Sequence, residues 1–166
     1  GLVQGPIPIA RIVMPLRLFQ RRRHQDGAHA LYIALVQQAR MPAFYETGGG
    51  PDTVDGRFDM GALHAFLLLH RLKSDDAPEV AHAAARDLAQ RDLAQDVFDL
   101  MFGDMDRNLR EMGVGDLSIG KRVKAMVAAF YGRIAAYETG LAGEDAVLAA
   151  ALRRNLFRGV EPTQAQ

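Results

Sequence analysis

Two histidines, His64 and His70, stand six residues apart in a long apolar stretch. At about 100° per residue on a helix they point in different directions, so they do not chelate one metal as an i, i+4 pair does. Packed side chains are the simpler reading. The run 47–56, TGGGPDTVDG, sets Asp52 and Asp55 beside Gly56. A calcium loop needs alternating acids and a distal glutamate, a pattern that is not met. One of the two aspartates is expected to cap the following helix instead. Asp92, Asp96 and Asp99 recur at helical spacing and read as a solvated face. There is no G-x-x-x-x-G-K-[ST] loop, no H-E-x-x-H, no G-x-S-x-G and no dinucleotide-binding glycine fingerprint. With no cysteine, disulfides, thiolate metal sites and thiol nucleophiles are excluded. Nothing pairs an activated nucleophile with a base, so the residue chemistry points to binding rather than catalysis, and no cofactor is expected.

What remains is charge. The 20 basic and 20 acidic residues balance, whereas a dedicated nucleic-acid binder carries an excess of positive charge. The cations are nonetheless clustered. Leu18 and Phe19 precede Arg21, Arg22 and Arg23, an apolar-then-basic tract that can lie on an anionic membrane surface; a solvated arm is the plainer alternative. Lys121, Arg122 and Lys124 open a helix after a turn, where cations oppose the helix dipole. Pairing with Asp104, Asp106 or Glu111 across the turn would relieve them, and so would an anionic partner.

The elements that position these groups read as helices throughout. Residues 1–13 carry Pro6 and Pro8 and are taken as an added or upstream extension, followed by a basic arm, 14–26. Ala28, Leu31, Tyr32, Leu35 and Ala39 mark one face of a helix that follows Asp26 and runs to Arg40, ended by Pro42. One further turn fits 43–46. Residues 57–72 are apolar nearly all round, which predicts a central helix. Asp76 and Pro78 signal a helix entry, and the pattern runs from 78 to 112. There Val97, Met101, Met105, Leu109 and Met112 form a row, read first as core and second as an adaptable binding surface. Gly113 and Gly115 supply the stop and turn. Helices over 118–138 and 144–157 and a polar tail complete the chain. The expected fold is all-α: a single-domain bundle of five or six helices with short loops, its helical domain spanning 27–158 and its tail 159–166. No segment has the apolar length of a membrane span, and no secretory signal is present.

The helix over 118–138 has two faces. Ile119, Val123, Met126, Val127, Phe130, Ile134 and Tyr137 form the bulky one. Opposite lie Ala128, Gly132 and Ala136, four residues apart. A mid-helix glycine costs about 1 kcal/mol relative to alanine, and close approach of another helix is a physical reason to keep it. Packing by the protein's own last helix is the first expectation. The alternative is a partner groove rimmed by Lys121 and Lys124.

Three blocks carry a family resemblance: LYIALVQQARMPAFY (31–45), DTVDGRFDMGALHAFLLLHRL (52–72) and AQDVFDLMFGDMDRNLREMGVGDLSIGKRVKAMVAAFYGRIAAYE (94–138). Together they resemble the ubiquinol–cytochrome c chaperone family, in a bacterial form, with DMDRNLREMGVGDLSIGKRVK as the specific part. The matching positions are Asp55, Gly56, Arg57, Phe58, Asp59, Leu63 and His64 in one block. In the other they are Asp104, Met105, Asp106, Arg107, Arg110, Glu111, Gly113, Gly115, Asp116, Lys121, Arg122, Phe130, Tyr131 and Arg133. The resemblance implies a non-enzymatic assembly chaperone for the cytochrome bc1 complex, binding an apolar subunit, cytochrome b foremost, through a helical groove with a basic rim. Lys121, Arg122, Lys124, Ala128, Gly132, Arg133, Ala136, Arg107 and Arg110 are the expected partner-binding residues. Further expected partners are a small helical protein and an anionic membrane surface. The expected location is cytoplasmic, peripheral to the inner membrane, and mitochondrial only in relatives with a leader. The alternative reading is a helical nucleic-acid or ribosome-associated binding protein.

Overall fold

The computed structural model describes the backbone of residues 10–73 and 80–159, and the side chains of residues 25–72 and 90–159. Among the described residues there are six helices and no strand: α1 (Ala10–Ala39), α2 (Ala43–Glu46), α3 (Val54–Lys73), α4 (Val80–Glu111), α5 (Asp116–Ala142) and α6 (Asp145–Asn155). The all-α expectation and the single turn at α2 are met. Two helix starts move. α1 begins at Ala10, ahead of the expected start after Asp26, because the tract between is rich in helix formers such as Leu, Arg and Gln. α3 begins at Val54 rather than Arg57. Its cap is Thr53, whose hydroxyl accepts the Gly56 N–H at 3.0 Å. The expected cap at Asp52 or Asp55 is therefore corrected: Asp52 pairs with Arg57 at 2.7 Å, and Asp55 lies inside the helix. The expected cap at Asp76 and first-turn Pro78 lie outside the described residues.

α3 is central, as its all-round apolarity predicts, and packs on α1, α4 and α5. The main core joins Leu35 of α1, Ala62 and Ala65 of α3, Met101 and Phe102 of α4, and Phe130 of α5. The aromatic rings of Phe98, Phe102 and Phe130 meet with centroids 4.5–5.8 Å apart, within the range of favourable edge and offset contacts. A second layer, Phe66, Tyr137 and Ala151, seats α6. His64 and His70 pack as expected: the His64 ring meets Phe44 edge-on at 5.1 Å, and His70 lies against Phe66 at 5.6 Å.

The α4–α5 turn is a glycine-terminated cap. Gly113 takes φ +79°, its N–H donates to Arg110 and that of Val114 to Leu109, closing the last carbonyls of α4. Across the bundle, Tyr32 of α1 donates its hydroxyl to Asp104 of α4 at 2.7 Å.

Candidate functional site: the open face of α5

α5 has 27 residues and α6 has 11, folded back against it. The close approach occurs at Gly140, where a Cβ would sit 2.8 Å from the Cα of Leu148. One turn earlier Ala136 is half-buried against the cluster that includes Ala151 of α6. Gly140 lies four residues beyond Ala136, so the small-residue row extends one step past its expected end. The expectation that the protein's own last helix covers this row holds for Ala136 and fails for Ala128 and Gly132. Both are exposed, and a Cβ at Gly132 would meet nothing within 4 Å.

The open stretch is bounded by charge at its start. Lys121, Arg122 and Lys124 are exposed and make no ion pair among the described residues. Their expected pairing across the turn is not seen: Asp104 and Asp106 are engaged elsewhere, and Glu111 pairs with none of the three cations among the described residues. Asp106 is bound by Arg110 at 2.8 Å, and Arg110 also reaches Asp116 at 2.6 Å. Asp104 accepts from Tyr32 and faces Arg107 at 3.6 Å. Arg107 and Arg110 thus remain on the surface, with their charge directed to α4 and the turn.

Arg133 leaves the expected partner surface. Its side chain is only 16% exposed and binds Asp59 at 2.6 Å, while its guanidinium lies 5.4 Å over the Phe58 ring. Asp59 is fully buried, and Arg158 holds its other oxygen at 2.7 Å. Burial pushes the Asp59 carboxyl up from the usual carboxylate range, and the Arg133 and Arg158 guanidiniums oppose that rise. This cluster is structural: it ties the segment after α6 to α3 and α5. The Arg133 Nε and the Tyr137 hydroxyl are buried beside it without a hydrogen-bond partner.

Sequence reasoning missed the exposure of three apolar groups on the same helix: Leu117, which is fully exposed, Tyr131, 57% exposed, and Leu141 near its end. An apolar residue at an outward wheel position is the signal that could have found them. The side chains of Leu18, Phe19, Arg21, Arg22 and Arg23 lie outside the described residues. No group of three or more His, Asp or Glu side chains suited to a metal ion occurs among the described residues. No helix among the described residues is long and apolar enough to cross a membrane.

The fold and this face define an all-helical protein with a helix surface that the described residues leave uncovered. The ubiquinol-cytochrome C chaperone family model matches residues 46–166. A crystal structure described as the Cbp3 homolog from Brucella abortus superposes with a TM-score of 0.70 at 38% sequence identity, covering 90% of this chain and 79% of that one. The chain is 26% identical over 143 residues to ubiquinol-cytochrome-c reductase complex assembly factor 1 of Xenopus laevis, covering 86% of this chain and 66% of the frog protein. The human protein of that name is also 26% identical over 143 residues, of which this chain spans 44%. The chain belongs to the ubiquinol–cytochrome c chaperone family.

Proposed function

We propose that this protein is a non-enzymatic assembly chaperone for the ubiquinol–cytochrome c reductase (cytochrome bc1) complex, and that it holds an apolar subunit, cytochrome b, against the open face of α5. Family membership and the assembly-factor names of the relatives support the process. The observation that carries the site is the exposed Ala128–Gly132 stretch beside three cations that make no ion pair among the described residues.

A newly made membrane helix is apolar and must be shielded before it reaches its complex. Small residues let such a helix approach the α5 backbone closely, which favours packing between helices that gain little from hydrophobic burial against lipid. Tyr131 and Leu117 add apolar contact at the sides. Lys121, Arg122 and Lys124 then meet acidic residues flanking the client helix. The basic tract of Leu18, Phe19, Arg21, Arg22 and Arg23 gives a second contact, with anionic lipid, and places the chaperone at the cytoplasmic surface of the inner membrane. The nucleic-acid alternative is not favoured by the family or by the balanced net charge.

Replacing Gly132 with leucine tests the site. The free protein has room for the side chain, so the variant is expected to keep its helical circular dichroism and melting behaviour. In cells it is expected to lose cytochrome b and assembled bc1 complex. Normal complex levels in this variant would overturn the α5 site. Normal levels after deletion of the whole gene would overturn the function.

A further inference from the structure

A cavity opens between the C-terminal half of α3, the stretch of α4 around Gln95 and the C-terminal half of α5. Its volume is about 770 Å³, within the range of about 300–1,000 Å³ that small-molecule sites occupy. The buried rings of Phe66 and Phe130 close its floor. Two tilted ring pairs line it. Phe98 of α4 and Tyr131 of α5 have centroids 5.8 Å apart, and Phe66 and His70 of α3 lie 5.6 Å apart. Phe98 and His70 are half-buried and Tyr131 is exposed, so ring surface from all three helices stays within reach of a bound molecule. Rings on more than one wall favour a flat, conjugated body, which gains edge and offset contacts that a saturated body of the same area does not.

The polar groups of the lining do not select charge. Arg91 and Glu138 balance in sign, and each already holds an interaction within the chain. Gln95 donates to Asp99 at 2.7 Å. A carboxylate or ammonium brought here would lose water without a dedicated partner. Tyr131 adds a hydroxyl that can donate to an oxygen of a neutral molecule. We propose that this cavity binds an uncharged, planar ring compound, its conjugated body against Phe98, Tyr131 and His70 and a carbonyl or hydroxyl oxygen at the Tyr131 hydroxyl. Tyr131 also borders the open face of α5. The cavity is nonetheless tested with the purified chain and a small probe, so the inference does not depend on the client reading.

The test uses the full chain labelled with 13C at the leucine and isoleucine methyls and three probes of similar size. These are 2-naphthol, planar and neutral; decahydro-2-naphthol, the same skeleton saturated and puckered; and 2-naphthoate, planar and charged. The chain has no tryptophan, so naphthol fluorescence reports binding without overlap. We expect 2-naphthol to saturate one site and to shift the methyl signals of Leu69 and Ile134, both in the lining, while the fully exposed Leu117 at the start of α5 stays in place. The saturated alcohol should bind about fivefold more weakly, the worth of the lost ring contacts, and the carboxylate more weakly than 2-naphthol as well. Tyr131→Phe should weaken 2-naphthol about threefold, the worth of one hydrogen bond. Ala135→Phe, which adds a ring to the lining from an exposed position, should abolish binding and keep the helical circular dichroism. Unshifted Leu69 and Ile134 methyls, equal affinity for the saturated alcohol, tighter binding of the carboxylate, or undiminished binding in either variant would overturn the proposal. Shifts at Leu117 as large as those at Ile134 would mark non-specific association and overturn it too.

Discussion

Gly132 and Gly140 occupy the same helix, two turns apart, and the same substitution should move stability in opposite directions. Alanine at either position gains about 0.5–1 kcal/mol of helix propensity. At Gly132 nothing opposes the gain, since the added methyl meets no atom within 4 Å. The expected result is stabilisation by about 0.5–1 kcal/mol, which raises the melting temperature by about 1–4 °C in a chain of this size. At Gly140 the methyl would stand 2.8 Å from Leu148 Cα and 3.2 Å from its Cβ, so it meets the backbone of α6 and not a flexible side-chain tip. Overpacking of this kind costs about 1–3 kcal/mol. After the propensity gain, Gly140→Ala should lose about 1–2 kcal/mol. Urea unfolding measures both through the transition midpoint, with the slope checked for constancy. Amide exchange should also speed up across Asp145–Asn155 in the Gly140 variant alone. Destabilisation by Gly132→Ala would mean that something covers that position. Stabilisation by Gly140→Ala would mean that α6 does not pack where the geometry puts it. Either result refutes the division of the row into a covered and an open half.

Two further predictions concern the buried groups beside that row. Asp59→Asn should cost about 3–5 kcal/mol, because it leaves the largely buried Arg133 without its charge partner. Arg158→Ala should cost about 1 kcal/mol, since that side chain is 43% exposed and water screens its share; equal losses in urea unfolding would overturn the assignment of Arg133 as the main partner. Burial pushes the Tyr137 hydroxyl up to about 12, against about 10 in an unfolded chain. The unfolded state therefore ionises first, and stability should be full below about pH 10 and fall between about pH 10 and 12. The hydroxyl has no hydrogen-bond partner, so Tyr137→Phe should be neutral or slightly stabilising at pH 7 and should flatten the alkaline decline; an unchanged slope would refute the cause.

Much of the bundle was legible because apolar period and glycine punctuation are local signals. The stop at Gly113, the single turn of α2 and the central role of α3 all follow from residues within a few positions of one another. The helix starts were harder. At α3 three candidate caps, Asp52, Thr53 and Asp55, stand within four residues, and side-chain chemistry ranks them too closely to choose. Thr53 wins because Asp52 is drawn to Arg57. The Asp59 cluster was not legible at all. Its partners lie 74 and 99 residues away, and an aspartate near the start of a helix otherwise reads as a solvated first-turn acid. Both Asp59 and Arg133 stood among the family-matching positions. Neither spacing nor period could say that they match because they bind one another.

The open face has the same kind of explanation, and it rests on length. At about 1.5 Å per residue, α5 is roughly 40 Å long and α6 roughly 16 Å. A helix less than half as long cannot cover its neighbour, however suitable the neighbour's surface. What fixes the covered half is the far end of α6. After Asn155 the chain leaves the helix, Leu156 packs against Ala39 and Met60, and Arg158, at φ +53°, turns its side chain onto Asp59. There Arg158 shares the Asp59 carboxylate with Arg133, three residues before Ala136 on α5. The Asp59 cluster therefore anchors the segment after α6 to both α3 and α5, while the Ala128–Gly132 stretch lies beyond the part of α5 that α6 covers. Arg158→Ala, which frees that anchor without touching α6, therefore tests whether the structural cluster and the proposed client surface are coupled: stability and client binding should then change together in one series of variants.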